Sequence, residues 1–403
     1  MRKIELLAPA GDLEKLKYAV IYGADAVYIG GKIFSLRARA NNFSMEDIKE
    51  ACNFAHERNV KVYVTMNIVP HNEDLTELKN YIQELISYNV DAVIVSSLAV
   101  MNFINKMFPN LEIHASTQLS ITNSKAIEFL KMLNVKRVVL ARELSIEEIK
   151  KISLNTDVEL EVFIHGGMCT SYSGRCMLSN YMTYRDANRG GCAHSCRWNY
   201  QLYSEDKKLL IDDVFNMGSK DLQAIKYIKQ LIKYNISSLK IEGRMKSLYY
   251  IATVVKSYRN LIDKFYQLGD IISEDEKKCF LEISKAENRE LSNGFFEGDV
   301  RPNGQLLGVR TEIPTKEFIG IVLDYDNNSK IATIEQRNYF EPNDTIEFFG
   351  PKMENQKFVV KEIYDEEGFL LDAARHPRQI IKIKTDISLS KYDLIRKIVL
   401  SET

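Results

Sequence analysis

The chain has 403 residues, of which 45% are hydrophobic and 27% charged, and its formal net charge is −1. This length exceeds what one hydrophobic core normally serves, so two domains are expected, and the balanced charge excludes a globally basic body that binds polyanions. The N-terminus lacks the apolar core of a signal peptide, and no apolar run approaches the roughly 18 residues of a membrane span. We therefore expect a cytoplasmic protein whose clustered cysteines serve as ligands and not as disulfides.

Residues 1 to about 265 alternate between short β-rich runs and longer amphipathic runs. Apolar side chains recur at helical spacing between most of the β-rich runs, and Asp12 and Ser44 are predicted N-caps. The predicted strands cover residues 4–8, 25–30, 61–66, 92–96, 112–116, 136–141, 158–164 and 238–242. Many of them follow a residue that suits the left-handed end of a helix, namely Gly23, Asn59, Asn89, Asn110, Asn134 and Asn235.

Strands and helices in strict alternation imply parallel strands with right-handed crossovers, and eight such units predict a (β/α)8 TIM-like barrel. A doubly wound open sheet is the alternative, although no Gly-rich phosphate-binding sequence follows the first strand. The seventh unit is unusually long, because residues 165–237 separate its strand from the eighth. This excess contains a cysteine-rich loop at the carboxyl end of a strand, where such barrels carry their active sites.

After about Pro302 the pattern changes to short β-runs separated by turn sequences. We therefore predict a catalytic barrel over residues 1–300, with the cysteine loop at 165–197, and a small all-β barrel over residues 301–403. Residues 375–397 contain seven Lys or Arg and two Asp, together with His376. This segment makes the second domain a candidate for RNA docking, and a solvated surface is the alternative explanation.

Four of the six cysteines lie in the loop, at Cys169, Cys176, Cys192 and Cys196, with six, fifteen and three residues between them. A structural zinc site usually has two close pairs with roughly two to four intervening residues, and only the last pair fits. An iron–sulfur cluster tolerates irregular spacing because each thiolate binds a different iron. Spacing alone leaves an iron–sulfur cluster, zinc and incidental buried thiols as alternatives.

A longer pattern surrounds these cysteines. It reads E-x-F-x-x-G-G-M-C at residues 161–169 and G-x-C-x-L-S at residues 174–179, and it resembles the signature of the collagenase-like peptidases, peptidase family U32. Gly167 departs from the Ser or Ala that is usual there. LLAPAG at residues 6–11 and KIEGRMKS at residues 240–247 extend the resemblance over most of the first 265 residues.

The resemblance implies hydroxylation of RNA and not simple proteolysis. Similar bacterial proteins with a barrel and a short β-domain are linked to oxygen-independent formation of 5-hydroxyuridine at the tRNA wobble position, with prephenate as co-substrate. Sister members act on ubiquinone and on ribosomal RNA cytidine. The resemblance also implies a 4Fe–4S cluster on the four loop cysteines. tRNA is the expected partner, and a paralogous subunit is another because similar proteins sometimes work in pairs.

Polar side chains follow the predicted strands, where the pocket of a barrel opens. The candidate catalytic residues are Arg142, Glu143, His165, Glu242 and Arg244, and the candidate substrate-binding residues are Arg37, Arg39, Asn67, Gln118, Arg175 and Arg185. Prephenate carries two carboxylates, which arginine binds in bidentate fashion, so Arg142 and Arg244 are the candidate anchors. The alternatives are an Arg–Glu ion pair at the barrel mouth and, for His165, a structural hydrogen bond instead of proton transfer.

Aromatic side chains are interspersed among the cysteines, at Tyr172, Tyr181, Tyr184 and Trp198. They could stack on a flipped base, with core packing as the alternative.

The sequence leaves two other functions open. A peptidase would fit the family name, but the sequence shows no Ser-His-Asp or His-Glu-x-x-His arrangement. The chain could also be a non-catalytic, cluster-bearing RNA-binding subunit of a paralogous pair.

Overall fold

The computed structural model describes residues 3–36, 41–206, 209, 214–286, 289–300, 304–306 and 316–398. In these residues a ring of eight parallel strands closes into a barrel, because the seventh and the first strand both pair with the eighth. The predicted TIM-like fold is confirmed. The ring consists of β1 Glu5–Pro9, β2 Ala26–Gly30, β3 Lys61–Met66, β4 Ala92–Val95, β5 Glu112–Ala115, β6 Val135–Val139, β7 Glu159–Gly166 and β9 Ser238–Ile241.

Two short strands, β8 Asp221–Gln223 and β10 Leu291–Ser292, extend the sheet outside the ring. Strand β8 pairs antiparallel with β7 at His165 and Gly166, and β10 pairs parallel with β8. Both therefore lie beside the carboxyl end of β7, where the cysteine loop begins. The sequence did not predict them.

Helices cover the outside of the barrel, except for the one at Leu178–Thr183, which lies within the cysteine loop. They are α1 Leu13–Ile21, α2 Met45–His56, α3 Leu78–Ser87, α4 Leu98–Met107, α5 Ser124–Lys131, α6 Ile146–Ser153, α7 Leu178–Thr183, α8 Ile228–Lys233, α9 Leu248–Leu268 and α10 Ser273–Ile283. The predicted caps are confirmed, since Asp12 accepts from Lys15 N and Ser44 forms a capping box with Asp47. None of the described helices has the length and apolar character that a bilayer crossing requires.

The predicted left-handed residues before the strands are confirmed, with one exception. Gly23, Asn59, Asn89, Asn134 and Asn235 have positive φ angles. Asn110 is the exception: helix α4 ends at Met107, and its C-cap Phe108 has φ −141° and ψ 60°. The local rule therefore holds at five of the six predicted positions.

Charged side chains fill the amino-terminal half of the barrel interior. Arg137 is 1% exposed and donates from Nη1 to Glu5 at 2.6 Å and to Glu161 at 3.4 Å, and from Nη2 to Glu159 at 2.8 Å. Lys240 Nζ lies 2.8 Å from the other oxygen of Glu161. Buried charges are tolerated only when they are paired and hydrogen-bonded, and this network meets that condition.

The C-terminal domain is an antiparallel all-β unit, as predicted. Its described strands follow the order β14-β13-β18-β11-β12-β17-β15-β16. They are β11 Lys316–Asp326, β12 Ile331–Gln336, β13 Thr345–Gly350, β14 Met353–Val359, β15 Ile363–Asp365, β16 Leu370–Leu371, β17 Ile380–Lys384 and β18 Leu394–Ile398. The predicted domain boundary between residues 300 and 301 adjoins positions outside the described ranges and stays a prediction.

The two domains share a buried contact around Arg396. This side chain is fully buried and donates from Nε to Glu347 at 2.7 Å, and its Nη2 lies 2.7 Å from Glu282 of α10. Tyr249 of α9 stacks on Phe318 of β11 with 5.6 Å between ring centroids. Arg396 belongs to the basic segment at 375–397, and its burial removes it from the predicted RNA-docking surface.

Candidate active site at the barrel mouth

A cavity of about 300 Å³ opens at the carboxyl ends of the barrel strands. Residues that directly follow the strands line it, as expected for this fold. They include Asn67 after β3, Gln118 after β5, Arg142 and Glu143 after β6, and Glu242 and Arg244 after β9. The structure thus brings together six of the predicted site residues.

All four loop cysteines, Cys169, Cys176, Cys192 and Cys196, line this same cavity as free thiols. Burial raises the pKa of Cys169, and the neighbouring Cys176 and Cys192 raise it further, whereas the backbone N–H of Ser171 and the charge of Arg142 oppose the rise. Burial likewise raises the pKa of Cys196, with Arg197 opposing it. The thiols therefore lie within electrostatic range of one another. Within the described ranges, no group of three or more His, Cys, Asp or Glu side chains is arranged to hold a single metal ion.

Hydrogen bonds fix the loop between the first two cysteines. Glu143 accepts from Ser173 twice, from the backbone N at 2.6 Å and from Oγ at 3.0 Å. Ser173 is buried and has a left-handed backbone, with φ 49°. Asn188 and Cys176 form a reciprocal pair, in which the Cys176 N–H donates to Oδ1 and Nδ2 donates to the Cys176 carbonyl. The carboxylate of Glu143 therefore anchors the cysteine loop through Ser173.

Arg142 links the loop to the end of β9. Its Nη1 donates to the carbonyl of Gly167 at 2.6 Å, and its Nη2 lies 3.2 Å from Glu242 Oε2. The guanidinium carbon also lies 3.8 Å from the centroid of the Phe163 ring, a cation–π contact. A guanidinium carries five N–H donors, and the two bonds to described residues use two of them, so within the described part of the chain Arg142 keeps donors for a ligand.

Arg244 is held deeper, at 3% exposure. Nη1 donates to Ser35 Oγ at 2.8 Å and Thr65 Oγ1 at 3.0 Å, and Nη2 donates to Asn42 Oδ1 at 2.6 Å. Gly30 makes room for this side chain, since a Cβ there would lie 2.3 Å from Arg244 Nη2. The orientation of Arg244 is therefore fixed from several sides.

The described lining of the cavity is predominantly cationic. It contains two carboxylates, Glu143 and Glu242, and six cations, which are Arg142, Arg197, Lys240, Arg244, Lys246 and Arg289. Two buried carboxylates outside the lining compensate some of this positive charge. Glu161 pairs with Lys240, and Asp221 pairs with both Lys246 and Arg289. The remaining positive potential favours an anionic ligand.

Family models match most of the chain. The model described as peptidase family U32 matches residues 11–305, and the model described as the C-terminal domain of peptidase family U32 matches residues 314–396. The chain belongs to peptidase family U32. This confirms the resemblance that the cysteine loop predicted.

Relatives in the U32 family carry different names. A Bacillus subtilis protein named tRNA hydroxylation protein P1 is 46% identical over 402 residues, covering 98% of this chain and 95% of the relative. An Escherichia coli protein named 23S rRNA 5-hydroxycytidine C2501 synthase is 37% identical over 270 residues, covering 67% of this chain and 41% of the relative. A Porphyromonas gingivalis protein named Collagenase is 33% identical over 404 residues, covering 95% of each chain.

The chemistry of this U32 cavity fits a thiolate-bound cluster. Four thiols supply the donors that a 4Fe–4S cluster requires, and the cations Arg142 and Arg197 act on them. The N–H of Ser171 points to Cys169 Sγ at 3.4 Å, a contact typical of the surroundings of metal-binding sulfur. Gly167 leaves space for the Ser or Ala that is usual in the family, since a Cβ there would meet nothing closer than 3.7 Å.

His165 lies outside the cavity because a β-bulge interrupts the alternation of β7. In the pairing of β7 with β9, Phe163 faces Lys240 but His165 faces Ile241, so β7 has one extra residue. Phe163 and Lys240 line the cavity, whereas His165 is 1% exposed and its Nδ1 lies 3.2 Å from Tyr258 Oη on α9. A bulge re-aims side chains in this way. The predicted proton-transfer role is therefore corrected to the structural alternative.

The predicted substrate-binding residues divide into three groups. Asn67 and Gln118 line the cavity. Arg175 and Arg185 are not among its described lining residues; Arg175 is exposed and its Nε donates to the Gln118 carbonyl at 2.5 Å, and Arg185 is half-buried. Arg37 and Arg39 lie outside the described residues.

Sequence reasoning missed three cations of the lining, which are Lys240, Lys246 and Arg289, as site residues. Lys240 and Lys246 belong to the KIEGRMKS segment, so their alternation with Glu242 and Arg244 was a usable signal. Arg289 follows α10 in a segment of no regular pattern, and only its contact with Asp221 of β8 at 3.3 Å brings it to the cavity.

Proposed function

We propose that this protein is a tRNA-modifying enzyme that hydroxylates the wobble uridine to 5-hydroxyuridine, without oxygen and with prephenate as co-substrate. The observation that carries the proposal is a cationic cavity at the barrel mouth into which four thiols face. The names of two relatives support RNA hydroxylation, one on tRNA with a match over nearly the whole chain and one on ribosomal RNA with a match over 67% of the chain.

In this proposal a 4Fe–4S cluster binds to Cys169, Cys176, Cys192 and Cys196. With four protein thiolates bound, such a cluster supplies electron transfer or shapes the pocket and offers no open iron to a substrate. The protein holds the ligands in place through Glu143, which fixes Ser173 between the first two cysteines, and through Asn188, which fixes Cys176. Arg142 and Arg197 offset the negative charge of the thiolates.

The co-substrate site in this proposal uses Arg142 and Arg244. Both line the cavity, and the two carboxylates of prephenate match two guanidinium groups better than one. Glu242 holds Arg142 in a fixed position, and the oxygens of Ser35, Thr65 and Asn42 do the same for Arg244. Such preorganised donors do not have to reorient when the ligand binds.

Lys240 forms part of the cavity wall below this site. Its ammonium lies 2.8 Å from Glu161 and 4.4 Å from the centroid of the Tyr28 ring. Burial raises the pKa of Glu161, but Lys240 and Arg137 more than offset this effect, so that the pKa of Glu161 lies below its ordinary value of 4.5. The carboxylate therefore stays charged at neutral pH and holds the Lys240 ammonium beside the cavity.

An anaerobic assay tests the proposal. Protein purified without oxygen is incubated with unmodified tRNA, with and without prephenate, and the nucleosides are measured by mass spectrometry. We expect 5-hydroxyuridine only when prephenate is present, and its loss in Cys176→Ser. Cys52→Ala is the matched control, because Cys52 is a buried thiol of helix α2 and is not among the described residues that line the cavity. Iron and sulfide analysis with an absorption spectrum tests the cluster itself; intact cluster without any product would contradict the proposed reaction.

A peptidase is the second candidate, since the Porphyromonas gingivalis relative is named Collagenase. In this alternative the cysteines would not be committed to a cluster, and peptide cleavage would not require iron. Cleavage of a collagen-derived peptide that survives both iron removal and Cys176→Ser would favour the peptidase. Loss of cleavage in the metal-free protein would count against it.

A further inference from the structure

Exposed aromatic side chains lie on the outer side of the cysteine loop. Tyr172 is 53% exposed, Tyr181 80%, Tyr184 99% and Trp198 41%. We refer to these four side chains as the aromatic rim. Core packing was the alternative explanation for them, and their exposure contradicts it. Large apolar groups exposed together on a protein surface mark an interaction site.

The aromatic rim belongs to the same loop as the four thiols, and the thiols line the cavity. Helix α7 begins two residues after Cys176 and contains Tyr181, and Tyr184 is its C-cap. The turn Ser195–Arg197 packs against α7 and leads into Trp198. Ser179 Oγ joins these parts, since it accepts from Ala193 N at 3.1 Å and donates to the Arg185 carbonyl at 2.8 Å.

Tyr184 is held in an unfavourable backbone conformation. Its φ and ψ are 57° and 25°, in the left-handed region that bulky residues rarely occupy. The side chain gains no packing in return, because it is almost fully exposed. Local strain of this kind persists where function requires the geometry. The loop therefore presents this ring to solvent.

The charge around the aromatic rim complements a polyanion. Residues 167–203 contain four Arg, one Asp, and neither Lys nor Glu. Arg175 is exposed and Arg185 is half-buried, so both can reach a ligand on the outer side. Exposed aromatic rings with neighbouring arginines are the composition of surfaces that bind single-stranded nucleic acid, where rings stack on bases and arginines contact phosphates. A second copy of this chain would bring the same positive charge and be repelled.

We propose that the aromatic rim stacks on unpaired bases of an RNA loop and so positions one nucleotide over the cavity. This inference rests on the proposed tRNA hydroxylation and specifies the recognised element as a single-stranded loop and not a duplex. The inner and outer sides of one loop then serve two purposes. The thiols face the cavity, and the rings hold the nucleic acid that enters it.

The test compares two RNA probes, a short stem–loop with the sequence of an anticodon arm and a fully paired duplex of similar length. The variants are Tyr181→Ala, Tyr184→Ala and the conservative Tyr184→Phe. We expect each alanine variant to bind the stem–loop about 10-fold more weakly, because one base loses its stacking partner. Tyr184→Phe keeps the ring and should bind like the wild type. Duplex binding should be unchanged in all three variants.

Leu154→Ala is the control, since Leu154 is 75% exposed at the end of α6, at the opposite end of the barrel. Stem–loop binding equal to that of the wild type in both alanine variants overturns the inference, as does failure of the wild type to bind the stem–loop. Light scattering that shows a dimer lost in the alanine variants would instead assign the rim to a protein contact.

Measuring hydroxylation with the same proteins separates this inference from the proposed function. In one outcome, the wild type forms no hydroxylated nucleoside while the alanine variants still bind the stem–loop more weakly. That result refutes the proposed reaction and supports the proposed role of the aromatic rim in RNA binding. If the wild type hydroxylates tRNA and the variants match it in both binding and turnover, the reaction stands and the rim is wrong.

Discussion

Replacing Glu143 with alanine should loosen the cysteine loop without unfolding the barrel. The carboxylate accepts two hydrogen bonds from Ser173, at 2.6 Å and 3.0 Å, and Ser173 is 4% exposed. Hydrogen bonds to a charged group contribute about 1.5–3 kcal/mol each, and we expect about 3 kcal/mol in total because both end on one residue. Since 1.4 kcal/mol is a factor of ten, the open population of the loop should rise about 100-fold.

Hydrogen–deuterium exchange followed by mass spectrometry measures this change. The peptide that contains Ser173 should exchange about 100-fold faster in Glu143→Ala, and peptides from β1 to β6 should be unaffected. Glu143→Gln separates shape from charge, because the amide retains an acceptor for the Ser173 N–H and a donor for its hydroxyl. It should show a smaller effect, about 10-fold.

Glu147→Gln is the matched control, since Glu147 is an exposed carboxylate four residues further along the chain. If Glu143→Ala exchanges no faster than this control, the loop is held by other contacts. The role assigned to Glu143 would then be refuted, and with it the explanation of how the first two cysteines are positioned.

Three further predictions concern single side chains. Gly30→Ala should displace Arg244, because the new Cβ would lie 2.3 Å from Nη2, and we expect a loss of about 1–3 kcal/mol in thermal unfolding together with weaker prephenate binding. Glu161→Gln leaves the buried Lys240 without its carboxylate and weakens one of the three carboxylate contacts of Arg137, so it should cost about 3–5 kcal/mol in urea unfolding at neutral pH. In the wild type, the stability from Glu161 is present above its ordinary pKa of 4.5 and is lost as the pH falls through the lowered pKa of the folded state, so the variant should lose this acid dependence. Arg396→Met leaves the carboxylates of the domain contact uncompensated and should cost about 3–5 kcal/mol.

The Gly30 and Arg396 changes have control variants in the chain, and the pH profile tests the Glu161 change. Gly167→Ala adds the same methyl group where nothing lies within 3.7 Å and should be silent, so equal effects of the two glycine variants would refute the steric argument. A Glu161 variant with an unchanged pH profile would show that other carboxyl groups govern acid unfolding. Arg375→Ala removes an exposed ion pair with Asp372, which solvent screens, and should leave the free energy of unfolding nearly unchanged. Equal losses for Arg375 and Arg396 would contradict the buried contact.

Local signals made the barrel predictable. Each ring strand is a short β-rich run, and Asp12 and Ser44 mark helix starts through their own side chains. Strands β8 and β10 have three and two residues, too few for any periodic pattern, and their pairing depends on partners far along the chain. The sequence therefore could not predict β8 and β10, because these strands form only through pairing with distant parts of the chain.

The site was predictable where the chain order alone determines position. Arg142 and Glu242 follow strands and reach the cavity, because the carboxyl ends of parallel strands meet. The same rule places His165 at the cavity, and this prediction is wrong. The bulge in β7 turns its side chain away, and the sequence of β7 does not reveal the bulge. Arg396 looks like part of a basic surface, and only the tertiary contact with Glu282 and Glu347 shows that it is buried.

The alternating charges inside the barrel connect its two ends. Glu5 at the start of β1 contacts Arg137, Arg137 contacts Glu161, and Glu161 contacts Lys240 at the cavity. Removing the charge of Glu5, on the face remote from the cysteine loop, would redistribute the hydrogen bonds of Arg137 and thereby change how strongly Glu161 holds Lys240. Substitutions at the remote face could therefore tune the affinity of the pocket for anions while leaving every pocket residue in place.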